Sequence, residues 1–151
     1  MANSTALLPA SAFNGLEGKS IVAEALVDFT KLNVTSGNSI DVLRIPKGAV
    51  VTNAGLIVHT TQATVTVAVG DSASGTQFLS AQTLTNVKAN NNAGTADGGA
   101  LASDVSTAYQ KFYGAEGVLR LTIGGADATT AKVTAFVEYF VIAASRTLKS
   151  E

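Results

Sequence analysis

IDVLRIPKGAVVTNAGLIVHTTQATVTVAVG, residues 40–70, decides the fold. In its last part Ala63, Val65, Val67 and Val69 alternate with Thr64, Thr66 and Ala68, the period of two that turns one face of a strand to a core and the other to water or a partner. Before it, Ile40, Val42 and Arg44 share one parity and Asp41, Leu43 and Ile45 the other. Pro46-Lys47-Gly48 then stops the run with a proline that fixes φ and a glycine that permits a turn. From Val50 to Thr60, Ala54, Leu56, Val58 and Thr60 alternate with Asn53, Gly55, Ile57 and His59. Connections this short hold no crossover helix, so the spacing predicts an antiparallel meander. The stretch carries no catalytic motif and reads as structural.

Working outward, 151 residues suit one domain, long enough to bury roughly 70% of its unfolded surface without staples. There is no cysteine, which excludes a disulfide framework, a thiolate nucleophile and a sulfur-ligated zinc site, and fits a reducing compartment. Ten basic and eleven acidic residues leave a net charge of -1, with no run of either sign. A phosphate-tracking groove and a polybasic membrane patch are therefore without support, and neither nucleic acid nor membrane is expected as a direct partner. Only 14% of residues are charged, against about 25% in ordinary soluble domains, which points to a surface partly covered in the working state. No apolar segment reaches the roughly 20 residues that span a bilayer. Met1 to Thr5 carries no basic side chain, and Pro9 follows Leu7 and Leu8 at once, so a secretory signal is not expected.

On the amino-terminal side, residues 1–19 mix Ala, Ser, Asn and Gly with Leu7, Leu8, Phe13 and Leu16 at no regular period. They read as an extended arm whose apolar side chains seek a groove on the parent domain or on a neighbouring subunit. Residues 20–144 read as the β domain and 145–151 as a flexible polar tail. Val22, Glu24, Leu26 and Asp28 against Ala23, Ala25, Val27 and Phe29 is a strand, and Ser36-Gly37-Asn38 is a turn that suits a hairpin into the Ile40 strand. Beyond Gly70, Thr76 to Ala81 reads as a short strand. Thr85 to Asp104 is rich in Asn, Ala and Gly, including Asn90, Asn91 and Asn92, and shows no period. So long a loop lies over a partner or in solvent. Strands resume at Tyr109 to Tyr113, at Val118 to Ile123, and at Thr130 to Ala143, the longest alternating run. Eight strands predict an all-β fold, an antiparallel two-sheet β-sandwich or jelly roll.

Chemistry finds little purchase. His59 is the only histidine and lies inside a strand, a place for a hydrogen-bonded or surface imidazole rather than a catalytic base. Asp71, Asp97, Asp104 and Asp127 fall in or beside Gly-rich loops where calcium could be held, but they lack the spacing of a calcium loop and read as turn aspartates. Tyr109, Phe112 and Tyr113 could stack on sugars or bases; packing is the expected role for two of them, with the third over an edge. No cofactor, metal site or enzymatic activity is expected.

Asp41-Val42-Leu43-Arg44-Ile45-Pro46-Lys47-Gly48-Ala49-Val50-Val51, the strand ending Val69-Gly70-Asp71-Ser72 before Phe78-Leu79, and Leu121-Thr122-Ile123-Gly124-Gly125-Ala126 before Lys132-Val133 together resemble the decoration, or cement, proteins of tailed bacteriophages. The resemblance covers Ile40 to Ile142 apart from the central loop. It implies a jelly-roll-like subunit on the outer capsid surface, commonly a homotrimer, bound to the major capsid protein, assembled in the host cytoplasm and without catalytic residues. Leu7, Leu8, Phe13, Leu16 and Asn90 to Asn92 are then the expected capsid or subunit contacts. The alternative is a carbohydrate- or receptor-binding sandwich of a tail fibre or cell surface, using loop aromatics and calcium.

Overall fold

The computed structural model describes residues 19–85, 100–102 and 111–142, of which 100–102 are described by their backbone course. The expected contacts Leu7, Leu8, Phe13, Leu16, Asn90, Asn91 and Asn92 lie outside the described residues, as do Tyr109, Asp97, Asp104 and the tail 145–151.

Nine strands follow one another with no helix among the described residues: β1 (Ile21–Asp28), β2 (Ser39–Ile45), β3 (Ala49–Thr60), β4 (Gln62–Gly70), β5 (Leu79–Leu84), β6 (Ala100–Ala102), β7 (Lys111–Phe112), β8 (Gly117–Gly124) and β9 (Lys132–Val141). They form two antiparallel sheets, one in the order β1-β9-β3-β6 with β7 also paired to β3, the other in the order β2-β8-β4-β5. Setting aside the two-residue β7, this is the jelly-roll order: the first strand beside the last, with the chain passing back and forth between the sheets.

That topology corrects two sequence expectations. β2, β3 and β4 do not form a meander, since β3 lies in the opposite sheet from β2 and β4. β1 and β2 likewise form no hairpin; the turn at Gly37 carries the chain across to the other sheet. Each of these strands has one strongly apolar parity. Side by side they would all present that face to the same side and need a further layer to cover it, whereas alternate placement lets the two apolar faces bury each other.

The core holds Val27 of β1 and Phe29 just after it, Ile45 of β2, Ala54, Leu56 and Val58 of β3, Val65, Val67 and Val69 of β4, Leu119, Leu121 and Ile123 of β8, and Val133, Ala135 and Val137 of β9. The alternations read in β1, β4, β8 and β9 are those observed. In β2 the parity shifts: Asp41 pairs with Arg120 but Leu43 with Leu119, so Val42 is the extra residue of a bulge, and Ile40, Leu43 and Ile45 turn towards the core. A second register shift between Val51 and Asn53 moves the buried series of β3 from Ala49 and Val51 to Ala54, Leu56 and Val58. β5 begins at Leu79 rather than Thr76, and β6 lies within the stretch read as loop, held against Gly55 to Ile57 of β3 by backbone pairing.

The ends of the sandwich are tied by side chains. Between β2 and β3, Gly48 takes φ +85 and the Ala49 N–H closes the turn on the Pro46 carbonyl at 3.1 Å; an L-residue resists that φ. At the opposite end, Gln62 Oε1 accepts the N–H groups of Thr129, Thr130 and Ala131 at 3.0, 3.0 and 3.3 Å. Its Nε2 donates to the Asp127 carbonyl at 2.8 Å. Asp127 Oδ1 in turn accepts the Ser36 N–H at 2.8 Å, so one glutamine organises the β8–β9 loop and, through it, the β1–β2 loop. Gln62→Ala is expected to cost about 1–2 kcal/mol, because several donors lose their acceptor at once but lie where water can partly replace it. Chemical denaturation should report the loss, with Gln62→Glu, which keeps acceptor oxygens, losing less.

Candidate functional site

The outer faces of the two sheets differ in chemistry. On the β2-β8-β4-β5 sheet the outward side chains satisfy one another. Arg120 makes two hydrogen bonds to Asp41, 2.6 and 3.0 Å long; it holds that carboxyl below its usual range, the hydrogen bond being the chief cause. Ser39 and Thr122 share a hydrogen bond of 2.9 Å.

The outer face of the β1-β9-β3-β6 sheet carries apolar side chains, two of them strongly exposed, interspersed with carboxylates. The buried series of β1, β3 and β9 point inward, so by alternation Val22, Glu24 and Leu26, Ile57, and Phe136, Glu138 and Phe140 point outward. Val22 is 63% exposed and Leu26 67%. Leu26 and Ile57 flank Thr134 across the register, Phe136 sits between Glu24 and Gly55, and Phe140 pairs across Val50 towards the 57%-exposed Phe112 of β7. His59 lies at the margin, its Nε2 2.8 Å from Thr134 Oγ1; it is an exposed, hydrogen-bonded imidazole, one of the roles its sequence context suggested. Single exposed apolar residues are ordinary, but a sheet face lined by them marks a contact surface.

One polar cluster holds this face in place. Asp71, buried after β4, accepts the N–H groups of Ala73 and Ser74 on Oδ1 at 2.9 and 2.8 Å. Its Oδ2 accepts the Tyr113 hydroxyl at 2.7 Å and the Lys111 ammonium. Burial alone would raise the Asp71 pKa, but Lys111, Tyr113 and the Ser74 amide outweigh it and the carboxyl sits below its usual value. Tyr113 is pushed well above a normal phenol by burial and by donating to that carboxylate. The cluster fastens β7, and with it Phe112, to the β4 end of the opposite sheet. Asp71 and Asp127 thus act as turn aspartates, and among the described residues no three His, Cys, Asp or Glu gather as metal ligands. Of the aromatics, Tyr113 is buried and Phe112 outward, so they form no shared stacking platform. In the sequence the outer face is signalled by the second apolar series of β9, Phe136 and Phe140, on the parity opposite the core.

No protein-family model matches the sequence, and no curated protein matches it. Solved structures do. The chain is similar to one from the capsid asymmetric unit of cyanophage Pam1, with 25% identity and a TM-score of 0.63, over 93% of this chain and 97% of that one. It shares its fold with a chain of the acid-stable capsid of Helicobacter pylori bacteriophage KHP30, at 19% identity and a TM-score of 0.58, over 83% of this chain and 90% of that one. The same holds for a chain of the capsid of Ralstonia phage GP4, at 18% identity and a TM-score of 0.61, over 88% and 90%.

Proposed function

We propose that the chain is a structural, non-enzymatic virion protein of a bacteriophage, a decoration or cement subunit that binds the outside of the capsid and strengthens joints between capsomers. The observation that carries the reading is the likeness, over nearly the full length of both chains, to a chain of the Pam1 capsid asymmetric unit. Charge supports an outer position: a net charge of -1 without a basic run suits a protein that never faces packaged nucleic acid. The two outer faces support an accessory rather than an isolated domain, one polar with paired side chains, the other bearing exposed Val22 and Leu26 beside Glu24.

In this reading three copies assemble around a local threefold axis. The arm residues Leu7, Leu8, Phe13 and Leu16 and the loop residues Asn90, Asn91 and Asn92 reach the major capsid protein or a neighbouring subunit. The physical task is to add buried area across a joint that internal pressure pulls apart. At about 25 cal/mol per Å2, several hundred Å2 of apolar contact per subunit contributes several kcal/mol before the costs of association, and simultaneous attachment of three subunits multiplies the effect.

The test is co-sedimentation of the purified chain with capsid shells assembled without it, alongside light scattering of the chain alone. The expected result is a trimer that sediments with the shells and raises the temperature at which they open. A monomer that stays in the supernatant overturns the proposal.

A further inference from the structure

β1 is the terminal strand of its sheet, and among the described residues no strand pairs with its open side. Its backbone polarity follows from the ladder. The Phe29 N–H donates to the Ala131 carbonyl at 3.0 Å, one step beyond the Asp28–Lys132 pair. Hydrogen-bonded pairs alternate in an antiparallel ladder, so Val27, Ala25, Ala23 and Ile21 exchange bonds with β9. The N–H and C=O groups of Val22, Glu24 and Leu26 point instead to the open edge. Consistently, the carbonyl of Asp28, which shares their parity, is taken by the Lys31 and Leu32 N–H groups at 3.1 Å each.

These three residues also place their side chains on the outer face. The strand thus offers three sets of backbone groups beside an apolar–acidic–apolar row. It carries no proline, lysine or bulge, and Glu24 is the one charge within the row that guards the edge. Glu24 has no hydrogen-bond or ion-pair partner among the described residues, and Glu138, opposite Val22, adds a second carboxylate to the same face.

We infer that the β1 edge docks an extended segment of a capsid partner, added as a further strand, with a Lys or Arg opposite Glu24 and apolar residues two positions to either side against Val22 and Leu26. The inference rests on the virion role proposed above and names the contact. Charge selects the occupant. A second copy of β1 paired antiparallel about Glu24 would set Glu24 against Glu24, which is destabilising. Residues 1–18, of the same or another copy, contain Glu17 and no Lys or Arg. Lys88, Arg146 and Lys149 of the chain lie outside the described residues, and an edge already taken by one of those segments would leave β1 unmoved by added peptide, which overturns the inference. An added strand brings its side chains to within about 4.5–5.5 Å of their opposites and supplies the missing backbone partners, with specificity set by alternate side chains.

Two measurements test it. The isotopically labelled full chain is titrated with the peptide Thr-Val-Thr-Lys-Thr-Val-Thr and with its counterpart carrying Glu at the centre, following amide resonances. The lysine peptide should move Val22, Glu24 and Leu26 first and bind about fivefold more tightly than the glutamate peptide. Glu24→Lys should reverse that preference. In parallel, wild type and Glu24→Lys are sedimented with shells, after matching melting temperatures establish that the variant is folded. Loss of shell binding by Glu24→Lys supports the inference. Peptides that leave β1 unmoved, or a Glu24→Lys variant that binds shells as wild type does, overturn the docking mode and leave the proposed function standing; a wild-type chain that does not bind shells overturns both.

Discussion

Asp71→Ala should lower the melting temperature at pH 7 by about 5–15 °C, corresponding to roughly 2–4 kcal/mol in a chain of this size. The substitution deletes one acceptor from the Tyr113 hydroxyl and the Lys111 ammonium and another from the Ala73 and Ser74 amides. The buried phenol is left unsatisfied. Removing one partner of a fully buried pair costs about 3–5 kcal/mol; the Lys111 side chain is 27% exposed and regains water, which reduces that figure. Asp71→Asn keeps an oxygen for the loop amides but not the charge, and should fall between the two. The pH dependence has a definite direction. Because the folded-state pKa of Asp71 lies below the ordinary 3.8, the unfolded chain takes up the proton first as pH falls. The contribution is therefore complete above the unfolded value and is lost as pH drops through the folded one. Asp28 and Asp41 are also lowered, so wild type loses stability in acid from several carboxylates. The gap between wild type and Asp71→Ala isolates this one, and calorimetry at pH 7 and near pH 3 should find it narrowing. A gap that stays constant would mean the aspartate acts by packing alone.

The Asp71–Tyr113 contact also marks where sequence reading stops. The loop aspartate and the aromatic run were each visible, but they are 42 residues apart and nothing in either stretch names the other. Strand parity was legible wherever one residue type dominated a face, as with Val65, Val67 and Val69 or Leu119, Leu121 and Ile123. It failed at Val42 and beside Thr52 because a bulge residue looks like any other strand residue, yet it turns every later side chain over. The sheet in which each strand lies was hidden too: Pro46-Lys47-Gly48 signals a reversal of direction and fits a hairpin or a crossing between sheets equally well. β6, Ala100–Ala102, escaped because three small residues carry no period. The outer face was half legible. Val22, Glu24 and Leu26 stood out as a series, but β1 has apolar residues on both parities, and only the buried Val27 and Phe29 reveal which side faces the core.

Two leucines on opposite sides of one sheet put that distinction to a direct test. Leu56 of β3 is fully buried in the core, whereas Leu26 of β1 stands on the outer face. Leu56→Ala leaves a cavity between the sheets and should cost about 2–5 kcal/mol, a fall in melting temperature of about 5–15 °C. Leu26→Ala removes the same atoms from a side chain already in water and should change the stability of the isolated chain by less than about 0.5 kcal/mol. On shells the ranking should reverse: Leu26→Ala, folded as wild type, should bind more weakly, while Leu56→Ala should bind normally at temperatures where it remains folded. Thermal denaturation at several protein concentrations also separates the possible coverings of this face. If Leu26→Ala destabilises the free protein, and does so more at high concentration, the face is buried between copies of the chain, and the docking edge must be sought elsewhere. If the free protein is indifferent to Leu26 and only shell binding suffers, the apolar row has no role in folding, and its side chains serve an interaction that the chain does not supply to itself.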